Sequence, residues 1–394
     1  MVKVIKFALR PNLKYPFQLI IWHLLRKIET MLISYLFNFG DSLVYIPLMF
    51  IGEFVSGLIF YSYQNKFFQK VKEKEKEKES ELIPETLLHN EIILSYPDSD
   101  LKIKVLIAFV AYFDWIQFII WLVTVPKYKY ISNSIVSRLS GILAISSAFF
   151  YSYVIKIKIF KHHKFSLIII GICTFIVIIT EFIFQEINIF LSYGKFIIVI
   201  LLSILSQVFN AFLDSIEKYL FEYDYVNPFY ALMYEGVFGF FMTFFYFTIP
   251  GYLDDIKLVY KTYSAGELVL FTFLLLLYIV LCGGRNIFRV ITTKIYSPMT
   301  RGLTDYFINP IYYIYDFSSG NDFIKQGDKN FPYFIINLII SLIISFCGCI
   351  YNELIILFCC GLERNTHDQI ARRASEIIYD LNKDIDASDI NDDD

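Results

Sequence analysis

Apolar residues along this 394-residue chain gather into runs of about twenty, the length that crosses a bilayer as a helix, with polar residues gathered between them. Ten such runs can be read, at about 17–37, 43–63, 103–124, 134–155, 165–184, 195–216, 229–249, 267–288, 296–316 and 333–360. The first is the weakest, because Arg26, Lys27 and Glu29 interrupt it, and an interfacial amphipathic helix is the alternative there.

The polar intervals orient the runs. With a cytosolic N-terminus, the inside loops hold Lys66 to Lys78, Lys102 and Lys104, then Lys156, Lys158, Lys161 and Lys164, then Arg285, Arg289 and Lys294. The outside loops hold only pairs such as Lys127 with Lys129 and Lys325 with Lys329. The positive-inside rule therefore puts both termini in the cytosol, in agreement with an even number of spans. Residues 70–81, K-V-K-E-K-E-K-E-K-E-S-E, alternate charge without hydrophobic periodicity and read as a solvated loop, with a short helix as the alternative. The tail beyond Arg373 is acidic and reads as disordered.

Four pairs of features recur in order. Ile28-Glu29 returns as Ile216-Glu217, E-x-V-x-G at 53–57 returns at 235–239, Ser137-Arg138 as Thr300-Arg301, and Glu181 as Glu353. The offsets of 188, 182, 163 and 172 residues follow the differing loop lengths. Two halves of five spans must lie oppositely in the bilayer, the inverted-repeat arrangement of secondary transporters. The expected organisation is a cytosolic segment 1–16, a first repeat 17–187 containing the charged loop 64–102, a second repeat 188–362 and a cytosolic tail 363–394. The fold class is thus an all-α membrane protein of ten transmembrane helices in a 5+5 inverted repeat.

Composition agrees with this. The chain is 56% hydrophobic and 19% aromatic with a mean hydropathy of +0.54, more apolar side chain than one water-soluble core of this size can hide. The net charge of −3 decides little. No short apolar core with a small-residue cleavage site follows the basic N-terminus, so no removable signal peptide is expected. The six cysteines lie in or beside apolar runs, which gives no disulfide framework, and no N-x-S/T sequon occurs.

Candidate chemistry lies where charge meets hydrocarbon. A carboxylate in the membrane costs about 2.5–3.5 kcal/mol on insertion scales, so it faces a cavity or a partner. Glu53 with Gly57, and Glu235 with Gly239, each lie one turn apart on a helix face, and either line a substrate path or serve as structural hydrogen-bonding groups. Asp114, with Gln117 close by, is the most deeply placed acid of the first half and has the same two readings. Arg138 and Arg301 stand in the first turn of their spans, where they snorkel to the interface or meet an anionic substrate group. Asp305 can pair with Arg301 four residues away, and Asn309-Pro310 breaks its span and frees backbone for a cavity. Cys282-Gly-Gly-Arg285-Asn286 similarly weakens the end of the eighth run, as a hinge or as plain packing. His162-His163 has no carboxylate or cysteine at ligand spacing, so neither a metal nor another cofactor is expected. The histidines are scattered, and no enzyme activity is expected.

The stretch Leu220 to Gly239, preceded by Glu217-Lys218-Tyr219 and containing Asn227-Pro228, resembles the drug/metabolite transporter superfamily, in its solute carrier family 35 and EamA-like branch. Tyr296 to Pro310 is similar to that family's ninth helix. The resemblance implies a secondary transporter or exchanger of a small polar, anionic metabolite, a nucleotide-sugar-like class among them, working by alternating access. It implies an endomembrane location, with the fifth and tenth spans at the periphery or a dimer interface. The alternative is a non-transporting membrane subunit or scaffold. Membrane lipid and a small-molecule substrate are the expected partners, in a homodimer or a membrane-protein complex, with no nucleic acid.

Overall fold

A computed structural model of the chain describes residues 7–9, 14–36, 45–77, 101–124, 139–156, 158–184, 193–244, 261–295, 330–358, 361–363, 366, 369–370 and 372–373. Among these, nine helices follow in order: α1 (Lys14–Leu36), α2 (Tyr45–Glu77), α3 (Leu101–Leu122), α4 (Ser140–Val154), α5 (Lys161–Phe184), α6 (Tyr193–Glu222), α7 (Pro228–Thr243), α8 (Ala265–Ile295) and α9 (Asn330–Tyr351). Two three-residue strands, β1 (Phe7–Leu9) and β2 (Ile355–Leu357), pair antiparallel, with Phe7 opposite Leu357 and Leu9 opposite Ile355.

Six of the helices, α2, α3, α5, α6, α8 and α9, are long and apolar enough to cross a membrane. α4 and α7, with 15 and 16 residues, rise only about 22–24 Å at 1.5 Å per residue, short of a hydrocarbon core of about 30 Å. The chain is an all-α, multi-pass membrane protein by this measure. The run at 296–316 lies outside the described residues.

Outward faces suit acyl chains. On α5, Ile168, Ile172, Phe175, Ile179 and Ile183 are exposed at spacings of three and four, and on α8 Val269, Phe273, Leu276 and Val280 do the same. In water such stripes would drive aggregation, whereas in lipid they have a solvent of their own kind.

The helices pack in a definite set of pairs. α2 lies along α7, α8 against α1 and α2, α3 against α6 and α7, α4 against α6, and α5 against α9. α2 and α7 run antiparallel, since Gly57 meets Phe229 and Met233, while Gly236 meets Phe50 and Phe54 farther along. They approach so closely that a Cβ on Gly57 would fall 2.6 Å from Met233 N, and one on Gly236 2.7 Å from Phe50 O. Such contact between backbones is the use of small residues in membrane helices. α2 and α8 run parallel, with Tyr45 against Tyr278 (ring centroids 6.1 Å apart) and Glu53 against Asn286.

Several boundaries differ from the hydrophobic pattern. Residues 70–77, expected as loop, continue α2, as their lysines and glutamates are good helix formers once a helix is nucleated. α6 runs past the expected end at 216 to Glu222, and α8 past 288 to Ile295. The helix of the last run ends earlier, at Tyr351, and is followed by a turn and β2. Asn227-Pro228 opens α7 as expected, with Asn227 Oδ1 accepting from Phe229 N–H at 2.9 Å and Pro228 in the first turn.

Candidate functional site

The site is organised by one face of α8. Cys282, Arg285, Asn286 and Arg289 stand at positions i, i+3, i+4 and i+7, which superimpose on one stripe rising about 10 Å along the helix. Each meets a carboxylate from another helix. Cys282 S–H donates to Glu29 Oε1 of α1 at 3.1 Å, and Arg285 Nη1 stands 3.0 Å from Glu29 Oε2. Asn286 Nδ2 donates to Glu53 Oε1 of α2 at 2.6 Å. Arg289 takes two acids, Glu217 Oε1 of α6 at 2.9 Å and Glu235 Oε2 of α7 at 2.5 Å.

Four helices thus present one glutamate each to a single polar stripe. Glu29, Glu53, Glu217 and Glu235 are all at most 2% exposed, and Arg289 is 7% exposed. Full burial explains why the partners are needed, since an isolated ion here would cost several kcal/mol. The helices come close enough because α8 carries glycine where α2 crosses it. A Cβ on Gly283 would lie 2.9 Å from Gly52 O, and one on Gly52 2.6 Å from Ile279 O.

Asp114 of α3 is also buried, at 4% exposure. Its Oδ1 accepts from Gln117 Nε2 of the same helix at 2.5 Å, and it lies within electrostatic reach of Glu53, Arg285 and Arg289. Among the described residues, the buried acids of the network, Glu29, Glu53, Asp114, Glu217 and Glu235, outnumber its two arginines. Among the described residues, four oxygen acceptors there have neither a hydrogen-bond donor nor an ion-pair partner: Glu53 Oε2, Glu217 Oε2, Glu235 Oε1 and Asn286 Oδ1.

Of the residues singled out in the sequence, Glu53, Asp114 and Glu235 come together around this network. Gly57 and Gly239 lie on the α2–α7 contact, where Gly239 abuts the Phe50 ring. Arg138, Arg301, Asp305 and Asn309 lie outside the described residues. Arg285 and Arg289, read from the sequence as cytosolic loop charges, are instead inside α8 and paired. Lys294 is likewise within the helix, and its carbonyl accepts from Lys218 Nζ at 2.7 Å. The spacing of three and four through Cys282, Arg285, Asn286 and Arg289 was the available signal, because it is the spacing of one helix face.

A second group of polar residues lies apart from this one. His162 and His163 open α5, and Glu353, just past α9, brings its carboxylate to them. The ligand spacing missing from the local sequence is supplied by a residue 190 positions away. Comparison with protein-family models and with curated proteins finds no match to this chain.

Proposed function

We propose that this chain is a secondary transporter or exchanger of a small polar metabolite, working by alternating access through ten spans arranged as a 5+5 inverted repeat. The observation that carries the reading is the buried network on α8, where glutamates from four helices meet at one stripe. Ionisable groups at this depth are costly to insert, and substrate and proton pathways are where membrane proteins keep them.

The packing supports the repeat. With residues 296–316 counted as a ninth span and α9 as the tenth, adding five to each number turns the α1–α8 pair into α6–α3, and α2–α8 into α7–α3. The α2–α7 and α5–α9 pairs turn into themselves. Glu53 and Glu235 then sit at equivalent places on antiparallel helices, as do Glu29 and Glu217. The β1–β2 pairing holds the start of α1 and the end of α9 on one side, which suits an even number of crossings and both termini in the cytosol. An endomembrane location goes with the same reading.

An anionic metabolite, including the nucleotide-sugar-like class, would be met by Arg138 and Arg301. The alternative of a non-transporting subunit draws on the same network, since Arg285 and Arg289 already hold carboxylates and can act as a static clamp.

Reconstitution into proteoliposomes separates the two. Uptake of labelled nucleotide sugars, sugar phosphates and amino acids is measured for the unaltered chain and for Glu53→Gln, Glu235→Gln and Arg301→Ala. Transport predicts flux in the first and its loss in the variants, with each variant still monodisperse. Unaltered flux in all three variants would sink the proposal, and no flux of any solute, with a partner co-purifying, would favour the clamp.

A further inference from the structure

The His162, His163 and Glu353 group calls for an explanation of its own. His162 is 3% exposed, and among the described residues neither of its ring nitrogens has a hydrogen-bond partner. A buried imidazole left this way forfeits roughly 1–3 kcal/mol per unsatisfied polar group. The neighbouring carboxylate does not cure this, since His162 Nε2 and Glu353 Oε1 stand 3.4 Å apart, longer than the 2.7–2.9 Å usual for a charge-assisted hydrogen bond.

That separation fits another role. Two ligands of a tetrahedral zinc, at about 2.0–2.2 Å from the ion, lie roughly 3.4 Å from each other. His163 completes the group, its ring centroid 4.0 Å from that of His162, and the ligand atoms of all three residues lie within 4.8 Å of one another. Phe160 N–H reaches His163 Nδ1 at 3.4 Å, a weak contact that ligation through that atom would give up.

The backbone delivers Glu353 at a cost. α9 closes with Leu354 N–H on Cys349 O at 2.9 Å and Glu353 N–H on Ile350 O at 3.1 Å, the bonding of a Schellman cap. The residue between must be left-handed, where glycine is favoured, yet Glu353 takes φ 56°. A non-glycine side chain there costs on the order of 1 kcal/mol. This glutamate breaks a local rule at the point where its carboxylate reaches two histidines, the kind of conflict that marks functional positions.

We propose that His162, His163 and Glu353 bind a transition-metal dication of the zinc class, with water as the fourth ligand, tying the start of α5 to the end of α9. Two imidazoles and one carboxylate suit zinc and its neighbours in the first transition row, whereas calcium and magnesium take oxygen ligands. Lys161 and Lys164 flank the histidines and are exposed, which further disfavours a purely electrostatic cation site. Binding requires neutral histidines and an ionised glutamate, so it weakens on acidification.

The test uses the full chain, purified with any affinity tag removed and stripped with a chelator. Zn2+, Co2+, Mg2+ and Ca2+ are added singly, excess is removed, and metal content, the visible spectrum of the cobalt form and the melting temperature are recorded. The expected result is one zinc per chain, tetrahedral cobalt bands, a higher melting temperature with zinc, and no effect of magnesium or calcium. Glu353→Gln and His163→Ala should each weaken zinc binding by at least about tenfold. His163 is only half-buried, so its variant serves if the other does not fold. No stoichiometric metal on the unaltered chain would overturn the proposal and leave a His162–Glu353 ion pair only, and so would equal binding by the variants. Flux measurements do not enter this test.

Discussion

Replacing Arg289 with methionine removes the one cation among the described residues that pairs with both Glu217 and Glu235. The guanidinium is 7% exposed and lies 2.9 and 2.5 Å from the two carboxylates, which are themselves at most 1% exposed. Each pair at such separations contributes an attraction of several kcal/mol at an effective dielectric near 20, offset by the desolvation of its members. The net cost of breaking a buried pair by deleting one partner is about 3–5 kcal/mol, because a charge is left behind. At about 2 °C per kcal/mol, the low end of the range and apt for a long chain, the melting temperature should fall by about 6–10 °C. Adding Glu217→Gln and Glu235→Gln to Arg289→Met removes the stranded charges and should recover most of that loss, as replacing a whole ionic group is often neutral. Intrinsic-fluorescence melting in one detergent, for the single and triple variants, measures both effects. A single variant as stable as the original, or a triple variant no better than the single, would refute the account of Arg289 as the shared counter-charge.

Two further perturbations probe the same region. Gly236→Leu drives a side chain into the Phe50 and Phe54 backbone and should cost at least about 2 kcal/mol; Gly194→Leu, where none of the described residues lies within 4 Å, is the control and should not lower the melting temperature. Asn286→Leu strips Glu53 of its donor and should cost about 1–3 kcal/mol, with Glu53→Gln in that background restoring part of the stability in the same melting assay.

The membrane character of the chain and the approximate place of nine of its helices were legible because a twenty-residue apolar run has few other uses. Helix ends were not. Residues 70–77 carry no apolar face, so a hydrophobic scan cannot see that α2 continues through them. Arg285 and Arg289 looked like loop charges for the complementary reason, that a scan scores each arginine alone and cannot know that Glu29, Glu217 and Glu235 wait on other helices. Glu53 and Glu235 were visible as acids in greasy surroundings, and their common E-x-V-x-G pattern marked them as a pair. Glu353 was noticed only as a repeat of Glu181, since nothing local ties it to His162. Contacts across such distances depend on how helices pack, which composition does not encode. The four-residue spacing of Arg285 and Arg289, read as a helix face rather than as loop charge, would have recovered part of the network.

The acids are divided between the two halves, but both arginines that pair with them among the described residues reside on α8. During synthesis Glu29, Glu53 and Asp114 enter the membrane before Arg285 and Arg289 exist, an interval of roughly 10–50 s at usual elongation rates. Throughout that interval the nascent first half carries these carboxylates without Arg285 and Arg289. α8 is therefore the helix whose arrival completes the charge network seen among the described residues, while α9 is still to come.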